Sequence, residues 1–219
     1  MEAARPFVQL MMQYKCAMLE IQTKLEILNK ELSLDSETNP FESITCRLKK
    51  PISIINKLKK LQLEPSTDNI EKNLHDVAGI RVVCTFRKDI YLLAEKLCSQ
   101  DDIRLVTWKD YIKNPKPNGY RSLHLILEVP VFFAEGKKFM QVEVQFRTIA
   151  MDFWASIEHK IYYKKEIDCN TAPIVEKLRA CAEDIHKLDI EMQEISEDIE
   201  LYNCGAQEAG MPPSRYRNE

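Results

Sequence analysis

The 219-residue sequence contains no Cys-x-x-Cys pair and no His-Glu-x-x-His run. Its four histidines and seven scattered cysteines therefore offer no spacing for a structural zinc. The cysteine number is odd and the chain can bury a core without covalent staples, so reduced, mostly packed thiols in a cytoplasmic setting are expected. No basic segment followed by an apolar stretch opens the chain, so no secretory leader is expected. No apolar run approaches bilayer length, so no membrane partner is expected. A dominant charge sign is lacking too: 31 Lys and Arg face 34 Asp and Glu, a net charge of −3. No global field marks the chain for nucleic acid. Internal repeats and low-complexity tracts are also missing. One sizeable core, or one domain with helical extensions, remains.

Two helical seams bracket the chain. Phe7, Met11, Tyr14, Met18, Ile21, Leu25, Leu28 and Leu32 alternate spacings of four and three, a heptad pattern over 1–35. Ile174, Leu178, Cys181, Ile185, Leu188, Met192, Ile195, Ile199 and Tyr202 repeat it over 171–202, with Thr171 as N-cap and Pro173 in the first turn. The seams can pair with each other or with another subunit, and a homo-oligomer is slightly favoured. Residues 33–42 read as a loop and 203–219 as a disordered tail. Between the seams, 40–165 reads as a mixed α/β core. Helices are expected at 51–62, 88–99 and 148–163, and strands at 79–86, 103–111, 121–131 and 138–147. In the last strand Phe139, Val142, Val144 and Phe146 are apolar, with a slip of phase near Met140.

Residues 115–124, Pro-Lys-Pro-Asn-Gly-Tyr-Arg-Ser-Leu-His, carry the first chemical signal. Asn118-Gly119 can form a tight turn because glycine tolerates positive φ. Tyr120 beyond it can offer a ring face to a purine, with Lys116 and Arg121 beside it for phosphates. Turn chemistry alone accounts for the same ten residues, so the reading needs support elsewhere. Glu143 gives it: flanked by Val142 and Val144 in a strand, it shares a polar face with Gln141, Gln145 and Arg147. Asp76 precedes the strand at 79–86. If those strands are neighbours, the two carboxylates meet at one cleft and can hold a magnesium ion, which prefers oxygen ligands and substrate phosphates. Cations accompany them: Arg47, Lys49, Lys57, Arg81, Lys109, Lys113, Lys116, Arg121 and Arg147. Magnesium-type acids interleaved with phosphate-type cations fit transfer of a phosphorus group.

Four segments in one order resemble the small alarmone synthetases, the single-domain branch of the RelA/SpoT-type guanosine polyphosphate synthetases. They are Arg47-Leu-Lys-Lys-Pro-Ile-Ser53 with Lys57, His75-Asp-Val-Ala-Gly-Ile-Arg81, Asn118-Gly-Tyr-Arg-Ser-Leu-His124, and Val142-Glu-Val-Gln-Phe-Arg-Thr148 continuing to Trp154-Ala-Ser-Ile-Glu-His159. The resemblance implies a nucleotidyltransferase-like mixed sheet flanked by helices. It implies magnesium-dependent transfer of pyrophosphate from ATP to the 3′-hydroxyl of GDP or GTP, giving AMP and ppGpp or pppGpp. Asp76 would be the magnesium ligand, and Glu143 would share the metal or act as base. Arg47 and Arg81 would sandwich adenine, with Lys49, Ser53, Lys57 and Lys109 also on ATP. Tyr120 would stack on guanine, with Lys116, Asn118, Arg121, His124 and Gln145 on the guanine nucleotide and Arg147 in support. The helical ends resemble those through which such synthetases assemble as tetramers. A hydrolase domain is not expected. Thr107-Trp-Lys-Asp110 keeps only the lysine and aspartate of the Arg-x-Lys-Asp element of the long synthetases, so it implies no preference between GTP and GDP. The same resemblance leaves two other readings: a pyrophosphokinase acting on adenine nucleotides or a tRNA 3′ end, and a nucleotide-binding regulator without chemistry.

Overall fold

A computed structural model describes residues 5–35, 39–162 and 172–208. Five strands form one sheet: β1 (Phe41–Leu48), β2 (Ala78–Cys84), β3 (Arg104–Asp110), β4 (Leu123–Phe133) and β5 (Gly136–Thr148). Their order is β1-β2-β5-β4-β3, with β2 and β5 parallel and every other pair antiparallel. The helices are α1 (Arg5–Asp35), α2 (Pro51–Lys60), α3 (Thr67–Asn73), α4 (Arg87–Cys98), α5 (Ile149–Tyr162) and α6 (Ala172–Glu208).

The two faces of the sheet differ because β4 and β5 alternate. Leu125, Leu127, Val129, Met140, Val142, Val144 and Phe146 are buried on one face. There α1 lies against β1, β2, β4 and β5, burying Tyr14, Met18, Ile21, Leu25 and Leu28. The first heptad seam thus serves sheet packing rather than helix pairing. α4 joins the same core through Ile90, Leu93, Ala94 and Leu97. Met140 keeps phase with Val142, so the strand has no slip; Phe139 is the exception, an apolar side chain 52% exposed on the polar face. Pro130 lies beyond Glu128, where pairing of β4 with β3 ends and the strand is paired on its β5 side alone, as suits a proline within a strand.

α6 departs from expectation. Leu188, Met192, Ile195, Ile199 and Tyr202 of its seam are exposed. The inward positions are Leu178, Ala182, Ile185 and Asp189, the first three packed with Trp154 and Ala155 of α5 and with Tyr120. Leu178 and Ile185 are members of the expected seam, but Ala182 and Asp189 take the inward places expected of Cys181 and Leu188, so the neighbouring elements decide which stripe is buried. The helix also runs to Glu208, past the break expected at 203, since a lone Gly205 costs a helix only about 1 kcal/mol. Thr171 and residues 209–219 lie outside the described residues. Two elements lie beyond the sequence expectation. β1 falls inside the stretch read partly as loop, and the seven-residue α3 is capped by Ser66, whose hydroxyl accepts from Asn69 N–H at 3.1 Å.

Gly119 sits at φ +90°, and a Cβ there would lie 2.5 Å from the Ala182 Cβ on α6. Gly136, at φ +124°, has open space instead. Gly119→Ala is therefore expected to lose more than Gly136→Ala in chemical denaturation. The strained backbone costs each about 1–2 kcal/mol, and the clash at Ala182 adds to the first alone. Equal losses would show that α6 does not seat on this turn.

Candidate active site

The polar face of the sheet is built in cross-strand rows. One row runs Thr45, Arg81, Gln145, His124 and Lys109 across all five strands. The next runs Arg47, Gly79, Glu143, Ile126 and Thr107. Parallel pairing of β2 with β5 sets Gly79 beside Glu143, and Asp76 lies three residues upstream in the loop that enters β2.

Two clefts, each of about 480 Å³, open on this floor. One is lined by Arg47, Lys49, Ser53 and Arg81, together with Thr45 and His159. The other is lined by Lys109, Lys116, Asn118, Tyr120 and His124, together with Tyr111 and Glu158. Asp76, Glu143 and Gln145 line both. Most of the sequence-predicted residues therefore fall into two groups that meet at the two carboxylates, while Lys57 and Arg147 line neither cleft and act on the lining residues from behind, Lys57 on Asp76 and Arg147 on Tyr120 and Gln145. Lys109, expected with the ATP set, stands instead in the Tyr120 cleft, because the β3–β4 register puts it opposite His124. Arg121 lies outside both clefts. It is only 7% exposed and makes a two-pronged bond to Glu183 of α6 at 3.0 and 3.1 Å, while also donating to Gly119 O. The reason is local: Gly119 and Tyr120 turn the chain so that consecutive side chains diverge, Tyr120 to the cleft and Arg121 to α6.

Glu143 is held by a closed circuit. Arg147 Nη2 donates to Tyr120 Oη at 2.7 Å, and Tyr120 Oη bonds His124 Nε2 at 2.8 Å. His124 Nδ1 meets Glu143 Oε1 at 3.1 Å, Gln145 Nε2 donates to Glu143 Oε2 at 2.8 Å, and Arg147 Nη2 donates to Gln145 Oε1 at 3.1 Å. Arginine can only donate, so the tyrosine hydroxyl accepts from it and passes its own proton toward Nε2. Neutral His124 then carries its hydrogen on Nδ1, directed at Glu143. Asp152 anchors the circuit from α5 through Arg147 at 3.0 Å and also pairs with Arg81 at 3.2 Å. The Arg147 guanidinium and the Lys116 ammonium both lie over the Tyr120 ring, at 5.1 and 4.7 Å from its centroid. Lys116 also lies over Tyr111, at 4.8 Å.

Both carboxylates titrate below their ordinary range. Burial pushes Asp76 up, but Lys49 and Lys57 outweigh it, the latter at 2.8 Å from Oδ1. Burial likewise raises Glu143, and the His124 and Gln145 bonds overcome it together with the repulsion from Asp76. Two ionised carboxylates facing one junction suit a magnesium ion, which takes one or two carboxylates and leaves its other positions to phosphates and water. Among the described residues no cluster of three or more His, Cys, Asp or Glu could by itself cage a metal. The donor set thus fits a metal completed by substrate. Cys16, Cys46, Cys84 and Cys98 are at least partly buried thiols and Cys181 an exposed one, all free and none in the clefts.

A sequence profile of the region found in RelA/SpoT proteins matches residues 46–168. The chain belongs to the RelA/SpoT family. It is 43% identical to the GTP pyrophosphokinase YwaC of Bacillus subtilis over 85% of this chain and 89% of that one. It is 35% identical to the GTP pyrophosphokinase YjbM of the same organism, over 85% and 87%. Among solved structures it is similar to small alarmone synthetase 1 of Bacillus subtilis bound to its product pppGpp, with a TM-score of 0.81, 32% identity, and 89% of this chain and 98% of that one covered. It is also similar to small alarmone synthetase 2 of that organism, with a TM-score of 0.79, 40% identity and coverage of 88% and 98%. No helix among the described residues is long and apolar enough to cross a membrane.

Thr45, Tyr111, Glu158 and His159 also line the clefts, and sequence reasoning does not single them out. Tyr111 follows Lys109 in a segment already rich in cations, and Glu158 and His159 close the last resemblance segment, so position is their only signal. Acid unfolding tests the charge pairing at the junction. The Asp76 pKa is depressed on folding, so its stabilisation is complete above the ordinary value of 3.8 and is lost as pH falls through the lower folded value. Wild type should exceed Asp76→Asn in stability at neutral pH, and the gap should close only below about pH 3.8. A gap that stays constant down to about pH 2, below the ordinary aspartate range, would deny Asp76 this role.

Proposed function

We propose that this chain is a GTP pyrophosphokinase that moves the terminal pyrophosphate of ATP to the 3′-hydroxyl of GDP or GTP. The observation that carries the reading is the pair of clefts that, among the described residues, share Asp76, Glu143 and Gln145. Two nucleotides seated there would meet at two ionised carboxylates. The relatives named as GTP pyrophosphokinases and the pppGpp-bound neighbour support the same reading.

In this reaction the 3′-oxygen forms a bond to the β-phosphorus of ATP, and the bond from that phosphorus to the α–β bridging oxygen breaks. AMP leaves with the bridging oxygen, and the 3′-hydroxyl proton passes to a base. Arg47 and Arg81 flank the ATP cleft as planar guanidinium groups suited to an adenine ring. Lys49 and Lys57, now on Asp76, are placed to pair with the phosphates. In the second cleft Tyr120 offers its ring face to guanine, and guanine would take the place Lys116 now holds over that ring, freeing the ammonium for phosphate. Glu143 faces both clefts and is kept ionised by its circuit, so it can accept a proton or a metal bond. Magnesium held by Asp76 and Glu143 would neutralise charge on the transferred pyrophosphate. Gln145 and Arg147 hold Glu143 and Tyr120 in their relative positions. The exposed α6 row supports a homo-oligomer, with a tetramer as the reading from the resemblance, and the free thiols support a cytoplasmic setting.

Purified protein incubated with magnesium, ATP and GDP or GTP, then resolved by anion exchange, should yield AMP and a more highly charged guanine nucleotide in equal amounts. Glu143→Gln should lower that rate by about a hundred- to ten-thousandfold, the range for losing a general base, while guanine-nucleotide affinity changes little. ADP instead of AMP, or a near-normal rate in the variant, would overturn the assignment.

A further inference from the structure

Glu158 is an anomaly in its surroundings. It belongs to α5, is half-buried, and lines the Tyr120 cleft but not the Arg47 cleft. The other two carboxylates of that cleft, Asp76 and Glu143, lie at the junction and are engaged by Lys49, Lys57, His124 and Gln145. Lys109 and Lys116 give the remainder of the cleft a cationic character suited to phosphates. An extra anion would repel phosphates, so it is compatible with a nucleotide only where the ligand turns hydrogen-bond donors toward it.

The neighbouring turn fixes how Glu158 is presented. Asn118 Oδ1 accepts from the Tyr120 N–H at 3.2 Å, which settles the sense of the amide. Its Nδ2 therefore points the other way and donates to Glu158 Oε1 at 3.1 Å. Asn118 is the side chain's one hydrogen-bond partner among the described residues, leaving Oε2 with its acceptor capacity. The platform ring and the carboxylate are thereby tied through one asparagine, on the wall of one cleft.

We propose that Glu158 is the specificity-determining residue for guanine, accepting from the N1–H and 2-amino group of a base stacked on Tyr120. This rests on the pyrophosphokinase reading for the identity of the ligand. Guanine carries those two donors side by side, a match for a carboxylate. Adenine presents a lone pair at N1, which the carboxylate repels. Hypoxanthine presents N1–H but lacks the 2-amino group. The acceptor order is therefore GTP, then ITP, then ATP. A site built to bond a particular N–H discriminates strongly against an analogue without it, because a charged acceptor is then left unpaired.

Glu158→Gln separates this role from a structural one, because the glutamine oxygen still accepts from Asn118 while the charge and the second acceptor are lost. Steady-state rates with GTP and ITP as acceptors, and calorimetric affinities for both, are measured on wild type and variant. Wild type should prefer GTP by about ten- to a hundredfold, the range for one hydrogen bond to a charged group. Glu158→Gln should narrow the preference to within about threefold, since a neutral amide discriminates less, with the KM for ATP and the melting temperature unchanged. Glu158→Asp, which retracts the carboxylate by one methylene, should narrow it as well and serves if the glutamine variant does not fold. An unchanged GTP-to-ITP ratio in these variants overturns the proposal. Calorimetry reads it even without turnover: a Glu158-dependent preference in a wild type that makes no product sustains this inference and removes the pyrophosphokinase reading instead.

Discussion

The bond between the Tyr120 hydroxyl and His124 Nε2, 2.8 Å long, closes a ring whose other tie from the Tyr120 turn to the sheet runs through Arg147. Tyr120 belongs to a turn outside the sheet, and Glu143 to a central strand. Through His124 on β4, and through Gln145 and Arg147 on β5, the two become members of one ring of hydrogen bonds. Such a ring fixes rotamers more firmly than separate pairs because displacing one member breaks two bonds. The carboxylate at the junction and the aromatic platform of one cleft then hold a set separation. For a reaction whose catalysis rests on positioning, that separation is a principal product of the fold.

The ring can form because of how the sheet is wired. β2 and β5 are parallel neighbours although three elements intervene along the chain: α4, β3 and β4. That arrangement brings Asp76, from the loop entering β2, to the same junction as Glu143 on β5. Antiparallel pairing of β4 with β5 then brings His124 opposite Gln145, one step diagonally from Glu143. α1 and α4 cover one face with apolar side chains, leaving the other face free for charge. α6 closes the end by seating Ala182 against Gly119 and holding Arg121 through Glu183.

Much of this is legible in the sequence because alternation is a local signal. The spacing of Val142, Val144 and Phe146 is enough to orient Glu143 toward the polar face, and Asn118-Gly119 marks the turn. Where the outcome depends on neighbours, local reading fails. A cation beside a turn cannot report which way it points, so Arg121, expected on phosphate, is instead paired with Glu183. Lys109 belongs to the other cleft because its register opposite His124 is a long-range fact. Leu178 and Ile185 of the expected α6 seam do face inward, but Trp154 and the Tyr120 turn bury Ala182 beside them rather than Cys181. β1 is hard to read because it is an edge strand with a register shift between Phe41 and Ser43, which interrupts its alternation. Glu158 falls in the last resemblance segment, but nothing local shows that it stands across from Asn118.

The most direct test of the circuit is the steady-state kinetics of Tyr120→Phe, which keeps the ring that would stack on guanine and deletes only the hydroxyl. If the circuit positions Glu143, kcat should fall by about ten- to a hundredfold, as expected for a small misplacement of a reacting group. The KM for the guanine nucleotide should stay within about threefold, because the stacking surface is intact. An unchanged kcat, or a loss confined to KM, would contradict the account and reduce the circuit to packing.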